Sequence, residues 1–170
     1  MSALPTVEEL ADIQRIIRLQ AKYARFVDLK RWLDLEALLT DDFEFEGASS
    51  TRGAAVFVSQ VSRRLANENT VHELHTPEIE IQLPCVATGT WPFADLIDER
   101  RDGLGVCRRG FGHYTESYVK TADGWRISTM RVARLRVDCT LALREQEPIH
   151  HACYSEEEVL AWLGRHGAQS

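Results

Sequence analysis

A long amphipathic helix at the N-terminus, followed almost entirely by strand-like sequence, constrains this chain more than any other feature. Thr6, with Glu9 three residues on, makes a capping box, and Leu10, Ile13, Ile16, Ile17, Leu19, Ala24 and Val27 then build a broad apolar stripe at helical spacing. Such a stripe needs a complementary surface, and the later sequence supplies one. Glu78–Leu83 alternates like a strand, residues 86–96 read as extended, and residues 110–120 pair with 125–137 through Thr121, Ala122, Asp123 and Gly124, where Asp-Gly is a strong hairpin signal. Between the two parts lie a shorter helical stretch at 30–39, a polar break at Thr40, Asp41 and Asp42, a short strand at 43–46, a hairpin or loop at 48–51, and a third helix at 53–66 carrying Val56, Val58, Val61 and Leu65. Residues 98–105, rich in charge and glycine, read as an exposed loop. A last helix near 155–165 is expected from Ser155 with Glu158 three residues on. Helices first and a twisted sheet afterwards predict an α+β fold, a cone-shaped α+β barrel in which a strongly curved, mixed or antiparallel sheet wraps around the long helix and leaves a pocket.

Composition narrows the partners. The 170 residues, 44% of them hydrophobic, suffice for one core, so a single unit is expected over residues 1–138, with 139–170 as its C-terminal tail. Twenty basic against 26 acidic residues give a net charge of −6, and no basic run offers a landing site for a phosphate backbone, which disfavours nucleic acid. No apolar run approaches a bilayer span and residues 1–5 do not resemble a targeting signal, so a cytoplasmic protein away from membranes is expected. Cys85, Cys107, Cys139 and Cys153 form no CxxC pair and are expected to be reduced and mostly buried.

The candidate chemistry gathers around residue 72. His72 and His75 flank the start of a strand before Pro77; their H-x-x-H spacing lacks further ligands, so a metal site is not expected, and a general base is the better use of an imidazole that titrates near neutral pH. Tyr23 lies on the apolar stripe and points inward, either as an ordinary core tyrosine or as a donor in a site. Asp28 ends the long helix, where the macrodipole disfavours its charge; it serves either as N-cap of the next helix or as the carboxylate that orients an imidazole. Trp91, Phe93 and Asp95 share one strand face, Pro92 implies an edge or bulge, and an aspartate behind two aromatic rings is expected either to have a raised pKa and act on a leaving group or to face solvent. Gly112, Tyr114, Glu116 and Tyr118 share a face. Arg126, Met130, Val132, Arg134 and Arg136 are expected to share another, with Arg134 either in the cavity, where it would need Asp95, Asp28 or an anionic substrate as partner, or in solvent.

Together, Tyr23 with Asp28, His72 to Ile81 (HELHTPEIEI), Ala87 to Asp95 (ATGTWPFAD) and Gly112 to Arg136 resemble the SnoaL-like branch of the nuclear-transport-factor-2-like superfamily over about residues 8 to 138. The pattern is most similar to the bile-acid 7α-dehydratase group, and more distantly to scytalone dehydratase and hexachlorocyclohexane dehydrochlorinase. The resemblance implies that His72 abstracts a proton, that Asp28 orients it, that Tyr23 and Asp95 are catalytic, and that Arg134 is a pocket arginine. It departs at Gly47, where the bile-acid enzyme would have a second tyrosine, and at Arg109, where scytalone dehydratase would have a second histidine.

The expected activity is that of a cofactor-independent dehydratase or isomerase for a carbonyl-bearing cyclic molecule, steroid-like or polyketide-like. His72, Asp28, Tyr23 and Asp95 are its catalytic residues, and Arg134, Trp91, Phe93, Tyr114 and His75 its substrate contacts. The alternative is a non-catalytic binding or oligomeric scaffold of the same fold. The resemblance also implies a homo-oligomer, a trimer favoured over a dimer.

Overall fold

The computed structural model describes residues 4–101 and 104–142; the expected helix at 155–165, Cys153 and most of the tail lie outside the described residues. Helix α1 (Val7–Asp28) opens with the anticipated capping box, Thr6 Oγ1 accepting from Glu9 N–H at 3.2 Å and Glu9 Oε2 accepting from Thr6 N–H at 2.6 Å. Its sheet-facing side buries Ile16, Leu19, Tyr23, Ala24, Phe26 and Val27, together with two polar residues, Asp12 and Gln20. Leu10 is 49% exposed, so the stripe begins later than its hydrophobicity implied. Helix α2 (Trp32–Glu36) is shorter than the expected stretch at 30–39. Strand β1 (Leu39–Glu46) absorbs the supposed break at Thr40, Asp41 and Asp42, because Leu39 and Phe43 anchor it in the core while Asp41 and Asp42 face solvent. Strand β2 (Ser50–Arg52) pairs back on β1, and helix α3 (Ala54–Leu65) follows Gly53, whose φ of 93° suits glycine. Helix α3 buries Phe57 and Val58 and leaves Val56 outside.

The remaining strands are β3 (Asn69–Leu74), β4 (Glu78–Leu83), β5 (Val86–Arg101), β6 (Leu104–Thr121) and β7 (Gly124–Ala142). Among the described residues they form, with β1 and β2, one curved seven-stranded sheet ordered β2-β1-β7-β6-β5-β3, with β4 also on β5. Only the β1–β7 pairing is parallel, so the sheet is mixed. The charged segment at 98–105 corrects the loop expectation: β5 and β6 stay paired through Asp98↔Cys107, Arg100↔Gly105 and Arg101↔Leu104. Glu99 and Arg108 face each other there at 3.0 Å. Pro92 sits where β5 changes neighbours from β4 to β3, and its carbonyl accepts from His75 N–H at 2.9 Å. A residue's N and O point to the same side of a strand, so proline's missing donor falls where the ladder is already interrupted.

Two register shifts in β7 decide which arginine faces inward. Tyr118 pairs with Ile127 and Ser117 with Thr129, so Ser128 is extra; Phe111 pairs with Arg136 and Gly112 with Arg134, so Leu135 is extra. Each extra residue flips the alternation. Trp125, Ile127 and Met130 are therefore all buried, and Val132 and Arg134 follow them inward, whereas Arg126 and Arg136 lie on the other face, a correction to the single face expected for all five positions. The cysteines differ from expectation as well: Cys85 and Cys139 are exposed and Cys107 is half-buried, all three as free thiols.

Helix α1 is tied to the sheet by polar groups. Asp12 accepts from Lys120 Nζ at 2.8 Å, Trp125 Nε1 at 2.9 Å and Arg15 Nη1 at 2.7 Å. Further along, Gln20 Nε2 donates to Glu116 Oε1 at 2.7 Å. Glu116 also accepts from Tyr118, whose hydroxyl takes the Trp91 Nε1–H at 2.7 Å. Burial works to raise the Asp12 carboxyl, but these three donors outweigh it and hold it at about 2. The folded chain therefore binds fewer protons than the unfolded one between the ordinary 3.8 and that value. This stabilisation is complete above the ordinary value and is lost as pH falls towards 2. Replacing Asp12 with Ala, which orphans the Trp125 and Lys120 donors, is expected to cost about 1–3 kcal/mol in urea unfolding at neutral pH. It should also flatten the acid limb of stability, measured as the unfolding midpoint against pH.

Candidate active site

The site lies at the open end of the cone, in a cavity of about 350 Å³ between α1, α3 and the inner faces of β3, β5, β6 and β7. Its buried floor carries Tyr23, Asp95 and Tyr114; Arg64, Gly47, Ala48, Ser49 and Val137 are exposed at the mouth. A wider surface groove of about 530 Å³ beside β1, β2 and β7 has its charges set in surface pairs, Arg52 with Glu44 and Arg131 with Glu46, and gathers no imidazole or phenol.

His72 lies inside β3 rather than at a strand start, and the alternation of that strand sends Thr70, His72 and Leu74 inward. Asp28 meets it there. Asp28 Oδ1 is 2.6 Å from His72 Nδ1 and accepts from the Thr70 hydroxyl at 2.9 Å, while Oδ2 accepts from His72 backbone N–H at 2.9 Å. These contacts answer both questions the sequence left open about Asp28. It does not cap α2, whose N-cap is Arg31, and the donors on β3 hold its charge at a helix end that would otherwise repel it. With Nδ1–H engaged by a carboxylate, the imidazole keeps its lone pair on Nε2, and His72 lines the cavity with only 10% of its side chain exposed.

Asp95 is the cross-strand partner of His72. Both of its carboxylate oxygens are gripped by the Arg134 guanidinium, Nη1 to Oδ1 at 2.8 Å and Nη2 to Oδ2. Burial works to raise the Asp95 carboxyl, but the Arg134 hydrogen bonds and charge, with His72 nearby, hold it below its ordinary value. This corrects the expectation of a raised pKa: the aromatic surroundings are present, and a fork of two N–H donors outweighs them. Arg134 also lies over Phe93, 5.4 Å from the ring centre, and Phe93 stacks on Tyr114 at 4.1 Å.

Burial pushes the Tyr23 phenol well above its ordinary range, with Glu116 adding to the effect. Tyr114 is raised in the same way, chiefly by burial and then by Tyr23 and Asp95. Burial lifts Glu116 to about 8 against the opposing hydrogen bonds from Tyr118 and Gln20. Both phenols therefore stay protonated as donors. Neither hydroxyl has a hydrogen-bond partner among the described residues, and both residues line the cavity.

Of the residues named from sequence, Tyr23, His72, Asp95, Tyr114 and Arg134 line one cavity, with Asp28 directly behind His72. Trp91 and Phe93 are packed in the core behind that wall, Trp91 occupied by Tyr118, so they support the site without facing it. His75 is exposed, donates its backbone N–H to Pro92 and does not line this cavity. At the two departures from the resembled enzymes, a side chain at Gly47 would meet the Phe45 ring at 2.8 Å, and Arg109 is exposed on the outer side of β6. Sequence reasoning overlooked Thr70, Lys30, Arg108 and Gly110. Alternation along β6 already placed Arg108 and Gly110 in line with Gly112 and Tyr114; Thr70 needed β3 to be recognised.

A helix lying in a curved mixed sheet, with a cavity at the open end, is the cone architecture of nuclear-transport-factor-2-like proteins. Residues 8–131 match the SnoaL-like domain, and the chain belongs to that family. A sequence relative is "Probable cyclase FGR4" of Gibberella zeae, 24% identical over 133 residues that cover 71% of this chain and 89% of the relative. Among solved structures, a scytalone-dehydratase-like protein from Novosphingobium aromaticivorans superposes with a TM-score of 0.69 at 16% identity, covering 77% of this chain and 89% of that one. The hexachlorocyclohexane dehydrochlorinase LinA-type3 from Novosphingobium barchaimii does so with a TM-score of 0.67 at 16% identity, covering 79% and 93%. At such identities the structures share the fold alone.

Gly110 opposes Asp95 on the neighbouring strand, and a Cβ there would overlap both Arg134 Nη1 and Asp95 Oδ1. Gly110→Ala is therefore expected to push Arg134 off Asp95 without deleting either charge, at a cost of about 1–3 kcal/mol. A crystal structure and urea unfolding of the variant check this; an undisturbed fork would contradict it.

Proposed function

We propose that the protein is a cofactor-independent lyase or isomerase that removes a proton from carbon alpha to the carbonyl of a compact cyclic molecule. The observation that carries this reading is the 2.6 Å contact between His72 Nδ1 and Asp28, which leaves Nε2 as the base beside a cavity holding two protonated phenols. The cavity's volume suits a molecule of a few rings. In the proposed reaction, Nε2 takes the alpha proton and the C–H electron pair becomes an enolate, whose oxygen receives hydrogen bonds from Tyr23 and Tyr114. Asp28 stabilises the imidazolium. In an elimination, the enolate re-forms the carbonyl, a beta C–O bond breaks, and the imidazolium returns its proton to the departing hydroxide, which leaves as water. In an isomerisation, the same proton is delivered to another carbon instead.

Asp95 has a different part from the acid first expected of it. Held as a carboxylate by Arg134, it fixes the guanidinium against the cavity wall, where Arg134 can donate to a substrate oxygen. The SnoaL-like family membership and the sequence relative named as a probable cyclase support chemistry of this kind. Association into an oligomer, a trimer before a dimer, completes the proposal, and light scattering that reports a monomer would remove that part.

Proton abstraction can be followed without knowing the final product, by NMR of deuterium uptake from D2O into a panel of cyclic beta-hydroxyketones. His72→Ala is expected to reduce uptake by at least about a hundredfold while circular dichroism stays unchanged, and Asp28→Asn to reduce it by about the same factor. Binding without uptake in the unmodified protein would favour a carrier, and undiminished uptake in the His72 variant would remove this mechanism.

A further inference from the structure

His72 lies between two carboxylates, Asp28 behind it and Asp95 across the strand pair. The Arg134 guanidinium neutralises Asp95. Asp28 has a counter-charge of its own: Lys30 Nζ donates to Thr70 Oγ1 at 2.9 Å, and the same hydroxyl donates to Asp28 Oδ1 at 2.9 Å. We infer that Lys30, acting through Thr70, is a positioning residue of the dyad, whose ammonium offsets the Asp28 charge so that His72 can release a proton as well as accept one.

A second observation points the same way. Helix α1 ends with Arg31 N–H on Phe26 O at 2.8 Å and Lys30 N–H on Val27 O at 3.2 Å, a termination whose left-handed residue is ordinarily glycine. Here that residue is Lys30, at φ 59°, and it is the one non-glycine with positive φ among the described residues. A side chain in that conformation is strained, because its Cβ crowds the neighbouring carbonyl oxygen. Burial lowers the Lys30 ammonium, while Asp28 and Glu68 oppose that effect. A lysine that served only to end the helix would be replaced with profit by glycine; one that balances Asp28 would not.

The titratable and charged groups around His72 are Asp28 and Tyr23 from α1, Asp95 from β5 with its Arg134 from β7, Tyr114 and Arg108 from β6, Arg64 from α3 at the cavity mouth, and the Lys30–Thr70 link, with Glu68 beside Lys30. A cation near a base lowers its proton affinity, so removing the cation raises it. The consequence for catalysis rests on the base role proposed for His72, but the test does not, because it reads the imidazole without substrate. Two-dimensional ¹H–¹⁵N NMR of the full chain follows the ring through a pH titration, with the His72 signals identified by their loss in His72→Gln.

Lys30→Met and Lys30→Gly are expected to move the His72 midpoint up by about half a pH unit. Thr70→Val should shift it in the same direction, and Lys30→Arg should restore the original midpoint. Lys30→Gly relieves the left-handed strain, so it should remain folded even if Lys30→Met does not. A midpoint in Lys30→Gly equal to that of the unmodified protein would overturn the inference, as would an arginine variant that shifts as far as the glycine one. If the midpoints shift as expected while no substrate is turned over, the proposed activity fails and the charge-balancing role stands.

Discussion

The long helix is seated in the sheet by polar side chains that find partners there. Asp12, Gln20 and Asp28, each eight residues on from the last, meet β6 and β7, then β6 again, then β3. Each would be costly in an apolar interface if left alone, and each is instead bonded to the strand it faces. The contacts set the depth and rotation of α1, and thereby decide where Tyr23 points and which strand Asp28 reaches. A helix held by its apolar stripe alone could slide or turn with smaller loss, since hydrophobic contact has no preferred direction.

Inside that frame the cavity sorts its ionisable groups by two different devices. Tyr23, Tyr114 and Glu116 are kept neutral by burial, whereas the Arg134 fork outweighs burial at Asp95 and keeps it charged, and Asp28 accepts hydrogen bonds from β3. Neutral donors and paired charges can share one dry space without an unbalanced ion. His72 has Asp28 bonded behind it and Asp95 across the strand pair; Lys30 reaches Asp28 through Thr70, and Arg134 grips Asp95 directly.

Periodicity carried much of this into view. The apolar stripe announced α1, the alternation of Trp91, Phe93 and Asp95 put them on one buried face, and Asp123-Gly124 marked the β6–β7 turn. Where the reading failed, local composition had hidden a long-range pairing. Asp41 and Asp42 looked like a break, yet Leu39 and Phe43 hold that segment as a strand. The charged residues around Glu99 looked like a loop, yet their partners on β6 keep the ladder closed. Arg126, Arg134 and Arg136 could not be told apart by counting, because Ser128 and Leu135 each reset the alternation between them. At Asp95 the sequence left a raised pKa and solvent exposure both open and offered Arg134 three possible partners; only the meeting of β5, β6 and β7 selects Asp95 as the group the guanidinium grips.

The sequence by itself determined the class of fold and the helix that fills it, because these depend on periodicity and side-chain chemistry over a few turns or a single strand. Tertiary structure alone decided that Asp28 faces His72 rather than capping α2, that Asp95 is an ion-pair partner, and that Lys30 and Thr70 belong to the same group. Those outcomes depend on which backbones pass within hydrogen-bond reach across some forty residues of chain. Sheet register, bulges and the seating of one helix set those distances, and no local pattern encodes them.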